Sequence, residues 1–344
     1  MTTTELPTLK AKDFTTDQDV RWCPGCGDYA VLAAVRKCLP TLGHKKEEYV
    51  FVSGIGCAAR FPYYMETYGL HSIHGRAPAF ATGIKITNPE LQVWLVSGDG
   101  DLLSIGGNHT VHMLRRNIDI NVLLLNNRIY GLTKGQASPT SERGKVTKST
   151  PVGSPDRPMN PLTLALGAGA TFVARSIDVD LKHMDAMMKR CAAHCGTSFL
   201  EIYQDCNIFN HEAWFYASQK DTKSHNTIQL EHGKAMVFAD GSKGIRLVGL
   251  ALEVVDIDGD VSEKDLLIHD ESNRTQAFLL AQLAYPDFPE PMGVLYRDAE
   301  DESNKPVEYV LADQVSQAKK QGATDLQSLI RGRETWEVSG QGNE

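Results

Sequence analysis

Two turns that each follow an apolar strand constrain the fold of this chain more than any other feature. The first turn, Gly98-Asp99-Gly100, follows the apolar run 93–96, and the second, Asn126-Asn127, follows the strand-like run 120–125. Twenty-five residues separate the turns, which is enough for a crossover helix between parallel strands. Open α/β sheets bind ligands at the carboxyl ends of their strands, so we expect both turns to border one site.

The residue types in these turns favour a metal-bound diphosphate as the ligand. Glycines let a backbone approach phosphate oxygens closely, and Mg²⁺ prefers a carboxylate, neutral oxygens and phosphates. Asp-Gly and Asn-Asn are also ordinary turn dipeptides, so either turn alone would predict only a loop. Their joint placement after two strands favours a binding site, and the spacing suggests thiamine diphosphate.

Strands and helices alternate along the first 210 residues. Apolar periodicity predicts a helix capped by Asp28 and stopped by Pro40, further helices at 77–86, 102–117, 161–167 and 180–194, and strands at 49–53, 93–96, 120–125, 171–174 and 198–203. The alternation predicts an α/β fold in which helices cover both faces of a mostly parallel sheet.

The pattern changes after about residue 210. We predict an N-terminal arm at residues 1–20, a cofactor-binding domain at 21–210 and an appended C-terminal subdomain at 211–344. Within the subdomain we expect a hairpin at 236–255, an amphipathic segment at 275–283 and a strand at 292–296; an irregular tail is the alternative. Residues 133–161 are rich in Lys, Ser, Thr, Pro and Gly and should form a long loop beside the site.

The charge balance limits the partners of the chain. Its 344 residues include 35 basic and 43 acidic side chains, a net charge of −8, which disfavours nucleic acid and anionic membranes. No apolar run approaches the roughly 18 residues of a membrane span, and the first residues lack the basic and hydrophobic segments of a signal peptide. We therefore expect a cytoplasmic protein that binds neither nucleic acid nor membranes.

Four of the seven cysteines predict a metal centre. Cys23-Pro24-Gly25-Cys26 places two thiols in one turn, Cys57 lies in the glycine turn 54–57, and Cys206 follows the last core strand. Zinc sites usually take two local pairs, whereas two single, distant cysteines suit an iron–sulfur cluster; spacing alone does not choose between them, and a redox Cys-x-x-Cys pair is a third alternative. The remaining cysteines are interpreted as small buried hydrophobic residues on helices: Cys38, Cys191 and Cys195.

Six sequence elements, in order, resemble the β subunits of 2-oxoacid:ferredoxin oxidoreductases over most of residues 21–211. The elements are Trp22-Cys23-Pro24-Gly25-Cys26-Gly27, Gly54-Ile55-Gly56-Cys57, His74-Gly75-Arg76-Ala77, Gly98-Asp99-Gly100-Asp101, residues 126–136 and Cys206. Within the family, Leu132-Thr133-Lys134-Gly135-Gln136 followed by Ser138-Pro139-Thr140 is most similar to the 2-oxoglutarate enzymes. The resemblance implies the thiamine-diphosphate-binding fold, with thiamine diphosphate, Mg²⁺ and one [4Fe-4S] cluster.

The resemblance also implies roles for individual residues. Mg²⁺ would be bound by Asp99, Asn127 and the carbonyl of Ile129. The cofactor would be lined by Ile55, Gly56, Cys57, Ala58, His74, Gly100, Asp101, Gly131 and Leu132. The cluster would be held by Cys23, Cys26, Cys57 and Cys206. As catalytic-site residues, Lys134 would face the substrate or coenzyme A, His74 the diphosphate end and Arg76 an anionic substrate group. The alternatives are a solvated lysine and a buried, hydrogen-bonded histidine.

By the same resemblance, the chain works in a larger enzyme. That enzyme converts 2-oxoglutarate and coenzyme A to succinyl-CoA and CO₂, and passes electrons singly through the cluster to ferredoxin. No glutamate here lies in a motif that would activate thiamine; in the family an α subunit supplies it, so we expect activity only in an αβ pair or a dimer of pairs. Pyruvate or a branched 2-oxoacid is the alternative substrate. A non-redox thiamine decarboxylase and a zinc-stabilised interaction subunit are the alternative functions.

Overall fold

The computed structural model describes residues 8–258, 260–298, 304–320, 325–332, 334–336 and 338, so residues 1–7 of the predicted arm lie outside it. The strands in this part of the chain are β1 Tyr49–Ser53, β2 Tyr68–His71, β3 Gln92–Gly98, β4 Asn121–Asn126, β5 Phe172–Ile177, β6 Ser198–Tyr203, β7 Thr227–Gln229, β8 Val237–Phe238, β9 Lys243–Val248, β10 Ala251–Asp256 and β11 Glu290–Arg297. The main sheet has the order β2-β1-β3-β4-β6-β5-β11-β7, and β8, β9 and β10 form a second sheet.

Most pairs in the main sheet are parallel. Strands β1 to β6 pair with one another only in parallel, whereas β11 runs antiparallel to β5 and parallel to β7. Strands β1, β3 and β4 are neighbours in the sheet although β1 and β3 are separated in sequence by β2. The carboxyl ends of these three strands therefore meet at one edge of the sheet, where both predicted turns lie.

Helices cover both faces of this sheet. The helices of the described ranges are α1 Asp28–Cys38, α2 Ala77–Thr87, α3 Gly107–Arg115, α4 Pro161–Gly167, α5 Leu181–Ala192, α6 Phe215–Ser218, α7 Lys223–Asn226, α8 Arg274–Leu280, α9 Val307–Lys320 and α10 Leu326–Arg331. Side chains alternate across β1, so Val50 packs with α2, α3, α4 and α8, whereas Phe51 packs with α1 and α5. This alternation gives the sheet two separate apolar cores and confirms the predicted α/β class.

The predicted crossover helix at 102–117 is shorter in the structure. Residues Asp101–Ile105 form a π-helical turn, Gly106 follows, and α3 begins only at Gly107. A Cβ at Gly106 would lie 2.5 Å from the Asp101 carbonyl oxygen, so the close backbone approach requires glycine at this position. Single π-helical turns are frequent at functional sites, and this one directly follows the first predicted turn.

Asp28 does not cap its helix as predicted. Gly27 occupies the cap position without a side-chain hydrogen bond, and α1 begins at Asp28 itself. The Asp28 side chain is buried instead, because it turns towards the carboxyl edge of the sheet, where it lines a cavity. The Asp28 carboxyl therefore contributes to the electrostatic environment of the site.

Residues beyond 211 contribute to both sheets. Strands β7 and β11 extend the main sheet, while β8, β9 and β10 form the smaller one. The hairpin predicted at 236–255 corresponds to β8 and β9, which pair in antiparallel register, but its second predicted strand at 245–255 is wrong as one strand because the chain turns back and forms β10 against β9. The sheet itself therefore continues across the boundary proposed at 211, and the division into domains stays a prediction. None of the helices in the described ranges is both long and apolar enough to cross a membrane.

Candidate active site

A cavity lies at the carboxyl ends of β1, β3 and β4. Three segments that follow these strands form most of its wall: residues 55–58 after β1, 98–101 at the end of β3, and 127–133 after β4. All nine residues predicted to line the cofactor border this cavity: Ile55, Gly56, Cys57, Ala58, His74, Gly100, Asp101, Gly131 and Leu132. The structure thus brings them together, although their binding of a cofactor stays a prediction.

The three predicted Mg²⁺ ligands border the same cavity. Asp99, Asn127 and Ile129 all contribute to its wall. The Asn127 side chain is held on both sides, because its Nδ2 donates to Gln204 at 2.8 Å and its Oδ1 accepts from the Ile129 N–H at 3.2 Å. The set comprises one carboxylate, one amide oxygen and one backbone carbonyl, which fits the hard-oxygen preference of Mg²⁺.

Among the three predicted Mg²⁺ ligands, Asp99 provides the carboxyl group, and this group is buried. It is 1% exposed, and burial raises its pKa to about 6, while hydrogen bonds from Ser138 and Thr140 lower it. Both hydroxyls lie 2.5 Å from Asp99 Oδ2. Within the described residues the Asp99 carboxylate has no salt-bridge partner, so a bound cation would stabilise its charged form.

Asp101, two residues further on, is a fully satisfied hydrogen-bond acceptor. Its Oδ1 accepts from the N–H groups of Ile55 and Gly75 at 3.0 and 2.7 Å, and its Oδ2 accepts from the Ser97 hydroxyl at 2.7 Å. His74 Nδ1 lies 2.6 Å from the same Oδ1. Because Nδ1 faces the carboxylate, Nε2 is the nitrogen left for the cavity. Asp101 therefore ties two loops around the site to the end of β3 and orients His74.

Two glycines of the predicted motifs are required by close contacts. A Cβ at Gly54 would lie 2.0 Å from Asp101 Oδ2, and a Cβ at Gly100 would lie 2.1 Å from a ring carbon of Tyr130. The Tyr130 hydroxyl also donates to the Gly100 carbonyl at 3.1 Å. Real Cβ atoms do not approach this closely, so larger residues would displace the loops that form the wall.

The four predicted cluster cysteines come together beside the cavity. In the first pair, the Cys26 N–H donates to the Cys23 carbonyl at 3.0 Å, which closes the turn. A Cβ built on Gly131 would lie 3.5 Å from both the Cys57 and Cys206 sulfurs, and electrostatic interactions join Cys57 to Cys23 and Cys26 to Cys206. Within the described residues, no three His, Cys, Asp or Glu side chains have the arrangement that holds a single metal ion.

Burial disfavours the thiolate form of three of these cysteines, Cys26, Cys57 and Cys206. Burial raises the pKa of Cys26, and it raises the pKa of Cys57 to about 12, although Arg60 lowers the latter. Burial also raises the pKa of Cys206, but three backbone N–H groups of residues 208–210 hydrogen-bond to its sulfur and lower it. Such N–H donors stabilise a thiolate, which is the form that binds iron or zinc.

The other three cysteines differ from one another. Cys38 and Cys191 are completely buried, as the hydrophobic interpretation predicts. Cys195 is exposed instead, because it lies beyond the end of α5, which finishes at Ala192. The prediction of a buried cysteine is therefore wrong at this position.

Arg76 and Lys134 lie outside the cavity wall. Arg76 precedes α2, and its guanidinium donates to the Ile105 carbonyl at 3.3 Å. Lys134 is exposed, with a positive φ of 75°, and its N–H donates to the Gly131 carbonyl at 3.0 Å in a tight turn. This turn begins at a residue of the wall, so Lys134 is close in sequence to the cavity without lining it.

Sequence reasoning missed three residues of the site. Asp28 lines the cavity with a buried Oδ2 that has no hydrogen-bond partner, and burial raises its pKa to about 7. Ser138 and Thr140 hold Asp99 through their hydroxyls. The sequence contains a signal for Ser138 and Thr140, because both belong to the segment Ser138-Pro139-Thr140 that resembles the 2-oxoglutarate enzymes. Their hydrogen bonds to Asp99, however, span about forty residues and depend on the folded loop.

Residues 54–202 match the family model described as "Thiamine pyrophosphate enzyme, C-terminal TPP binding domain". This range contains the two turns, the cavity and most of the parallel sheet. The fold and the site therefore define a thiamine-diphosphate enzyme domain.

Two relatives indicate which kind of thiamine-diphosphate enzyme the chain resembles. The chain is 49% identical over 342 residues to "2-oxoglutarate oxidoreductase subunit KorB" of Mycobacterium tuberculosis, which covers 98% of this chain and 90% of that protein. It is 44% identical over 188 residues to "2-oxoglutarate synthase subunit KorB" of Methanocaldococcus jannaschii, covering 55% of this chain and 70% of that one.

A solved structure extends the likeness to the fold. The chain is similar to the 2-oxoglutarate:ferredoxin oxidoreductase from Magnetococcus marinus with 2-oxoglutarate, coenzyme A and succinyl-CoA bound, at 31% identity and a TM-score of 0.75, covering 95% of this chain and 97% of that one. The chain belongs to the β-subunit family of the 2-oxoacid:ferredoxin oxidoreductases. The resemblance inferred from six sequence elements is thereby confirmed.

Proposed function

We propose that this chain is the β subunit of a coenzyme A-dependent 2-oxoglutarate:ferredoxin oxidoreductase. The complete enzyme would convert 2-oxoglutarate and coenzyme A to succinyl-CoA and CO₂, and pass two electrons, one at a time, to ferredoxin. Named relatives and the solved structure support 2-oxoglutarate and coenzyme A as substrates. Pyruvate and branched 2-oxoacids are the competing substrates that the test below must separate.

One observation carries the redox part of this proposal. Cys57 lines the same cavity as Asp99, Asn127 and Ile129, and its sulfur and that of Cys206 lie against the Gly131 wall. A [4Fe-4S] cluster on the four thiols would therefore adjoin the cofactor cavity, where electrons can pass directly. A non-redox decarboxylase would have no use for four thiols in this position.

The residues of the cavity divide into holding and orienting groups. When bound, thiamine diphosphate supplies the electron sink for loss of CO₂. Asp99, Asn127 and the Ile129 carbonyl would hold Mg²⁺ on the diphosphate, and the glycine backbone around Gly100 would allow its close approach. His74, oriented by Asp101, would direct Nε2 at the same end of the cofactor.

Substrate recognition would fall to the rim of the cavity. Lys134 is exposed on a tight turn whose first residue lines the cavity, and we assign it to the second carboxylate of 2-oxoglutarate or to coenzyme A. Arg76 is a weaker candidate than Lys134 for contact with an anionic group of the substrate. The carboxylate that activates thiamine would come from an α subunit, so the working unit would be an αβ pair or a dimer of pairs.

Three measurements test this proposal. The chain alone should not reduce a viologen with 2-oxoglutarate, whereas the chain co-purified with its α partner should. The anaerobically purified complex should contain iron and absorb visible light; a colourless, zinc-bearing protein would contradict the redox function. Lys134→Met should raise KM for 2-oxoglutarate more than KM for pyruvate, whereas equal effects together with a raised KM for coenzyme A would assign Lys134 to coenzyme A. A lower kcat/KM for 2-oxoglutarate than for pyruvate in the wild-type complex would contradict the assigned substrate.

A further inference from the structure

A buried network of charges lies behind the Asn126-Asn127 turn. Arg175 on β5 pairs with Glu201 on β6 through Nε and Oε2 at 2.8 Å, and with Glu290 on β11 through Nη1 and Oε2 at 2.7 Å. All three residues are at most 3% exposed. Removing such charges from water is costly, and apolar residues of similar size often stabilise a fold at least as well. Stability alone therefore does not account for the network.

Glu201 connects this network to the turn. While Oε2 faces Arg175, Oε1 accepts a hydrogen bond from Asn126 Nδ2 at 2.7 Å. This contact fixes the orientation of the Asn126 amide, so that its Oδ1 accepts from the Arg128 N–H at 3.2 Å. If the amide turned over, Nδ2 would face another N–H donor. The carboxylate of Glu201 thus determines how the backbone of the turn is held.

The Asn126 amide is also connected, through Thr140, to Asp99, the carboxyl that we assign to Mg²⁺. Asn126 Oδ1 lies 2.9 Å from the Thr140 hydroxyl, which lies 2.5 Å from Asp99 Oδ2. Since a hydroxyl has one proton, Thr140 cannot donate fully to both oxygens, and the position of Asn126 affects its bond to Asp99. A continuous chain of contacts therefore runs from the buried network to the site.

Residues of the C-terminal region form further hydrogen bonds with the network and with the turn. Glu290 accepts hydrogen bonds from the hydroxyls of Tyr203 at 2.9 Å and Tyr216 at 3.1 Å. Trp214 Nε1 donates to the backbone carbonyl of Asn126 at 2.9 Å, and its indole stacks on Tyr203 with ring centroids 3.4 Å apart. Residues beyond 211, whose role the sequence left open, thus hold the turn from the side opposite the cavity.

We infer that Glu201 is a positioning residue for the metal-bound diphosphate, acting through Asn126, with Arg175 and Glu290 holding its carboxylate in place. The inference rests on the proposed function. Two physical effects combine: Glu201 orients the turn that carries Asn127 and the Ile129 carbonyl, and its negative charge offsets the Arg175 charge behind a cation site. Its loss would leave a less ordered turn and a network that is neutral, instead of singly negative, behind the cation site.

The test is the Glu201→Gln variant of the chain, co-purified with its α partner. We expect the dissociation constant for Mg²⁺, titrated by calorimetry into the complex saturated with thiamine diphosphate, to rise about tenfold to 100-fold, as for other residues that orient metal ligands. At saturating Mg²⁺, kcat should approach that of the wild type. A merely structural role would lower the melting temperature without this selective loss of metal affinity.

A matched control breaks a buried ion pair far from the site. Lys85 is 1% exposed and contacts Asp119 at 2.7 Å; Asp119 precedes β4, at the opposite end of the strand from Asn126. Lys85→Met should lower the melting temperature and leave the Mg²⁺ dissociation constant unchanged. Equal weakening of Mg²⁺ binding in Lys85→Met and Glu201→Gln would overturn the inference.

A second variant covers the case in which Glu201→Gln does not fold. Trp214→Phe keeps an aromatic ring against Tyr203 and removes the N–H that donates to Asn126, together with part of the ring that contacts Arg128, so it should weaken Mg²⁺ binding in the same direction by a smaller factor. Where Glu201→Gln folds, wild-type Mg²⁺ affinity in that variant refutes the inference alone; where it does not fold, wild-type Mg²⁺ affinity in Trp214→Phe does so. If the wild-type complex binds no thiamine diphosphate with Mg²⁺, the proposed function fails first, and the two failures are distinguishable.

Discussion

Replacing Asp99 by Asn should stabilise the metal-free protein while abolishing its response to cofactor. The Asp99 carboxyl is buried without a cation, and burial raises its pKa from 3.8 to about 6. An acid whose pKa is higher in the folded state contributes most stability below its unfolded pKa, and loses that contribution as pH rises through the folded pKa. Asn keeps an oxygen for Ser138 and Thr140 but carries no charge, so the variant avoids this loss.

The magnitude follows from the shift. A difference of about 2 pKa units corresponds to about 3 kcal/mol at about 1.36 kcal/mol per unit, an upper limit because Asn loses backbone hydrogen bonds to its second oxygen. The advantage of Asp99→Asn should be absent near pH 4, grow between about pH 4 and pH 6 and stay constant above. For 344 residues at about 2.1 cal/mol/K each, 3 kcal/mol corresponds to roughly 4 °C in melting temperature.

Differential scanning calorimetry with a chelator, at pH 5 and pH 7.5, measures this effect. Adding Mg²⁺ and thiamine diphosphate at about 100 times the dissociation constant should stabilise the wild type by about 2.7 kcal/mol and leave Asp99→Asn unchanged. The control is Asp101→Asn, which should destabilise the metal-free protein because it weakens the charge-assisted bonds of a carboxylate that is already satisfied. A destabilised metal-free Asp99→Asn, or an undiminished cofactor response, would refute the reasoning.

Three further substitutions test other parts of the site. Gly100→Ala should weaken cofactor binding in calorimetry, because its Cβ would lie 2.1 Å from a tyrosine ring, whereas Gly107→Ala, with no atom within 4 Å of its Cβ, should not. Cys206→Ser should lower the iron content per chain after anaerobic purification, and Cys191→Ser, on a buried helix face, should leave it unchanged. Thr140→Val removes a hydrogen bond that lowers the pKa of the Asp99 carboxyl, so if this carboxyl binds Mg²⁺ as proposed, Mg²⁺ affinity should fall more at pH 6 than at pH 8.

Local sequence signals predicted the parts of the fold that local physics determines. The predicted strand at 49–53 and helix at 161–167 match β1 and α4 at both ends, because apolar runs and flanking Pro and Gly residues set these boundaries. Short strands without such a run were missed: β2 is half exposed and β7 has three residues. Their pairing depends on neighbouring strands rather than on their own composition.

The contacts that hold the site were not accessible to local reasoning. The donors Ile55, His74 and Gly75 reach Asp101 from two separate loops, and Glu290 reaches Arg175 from a strand 115 residues away in sequence. Motif spacing placed both turns at one edge of the sheet because parallel strands share a direction. It could not indicate which side chains beyond the motifs hold those turns in place.

The two aspartates of the Gly98-Asp99-Gly100-Asp101 segment illustrate this limit. In sequence each follows a glycine, and local rules treat the two alike. In the structure Asp101 accepts from four donors and orients the loops around it, whereas Asp99 is buried with two hydroxyl donors and a raised pKa. A cation would stabilise Asp99 strongly and Asp101 little. The electrostatics of the folded loops, rather than the motif, therefore favour Asp99 as the residue that binds the metal.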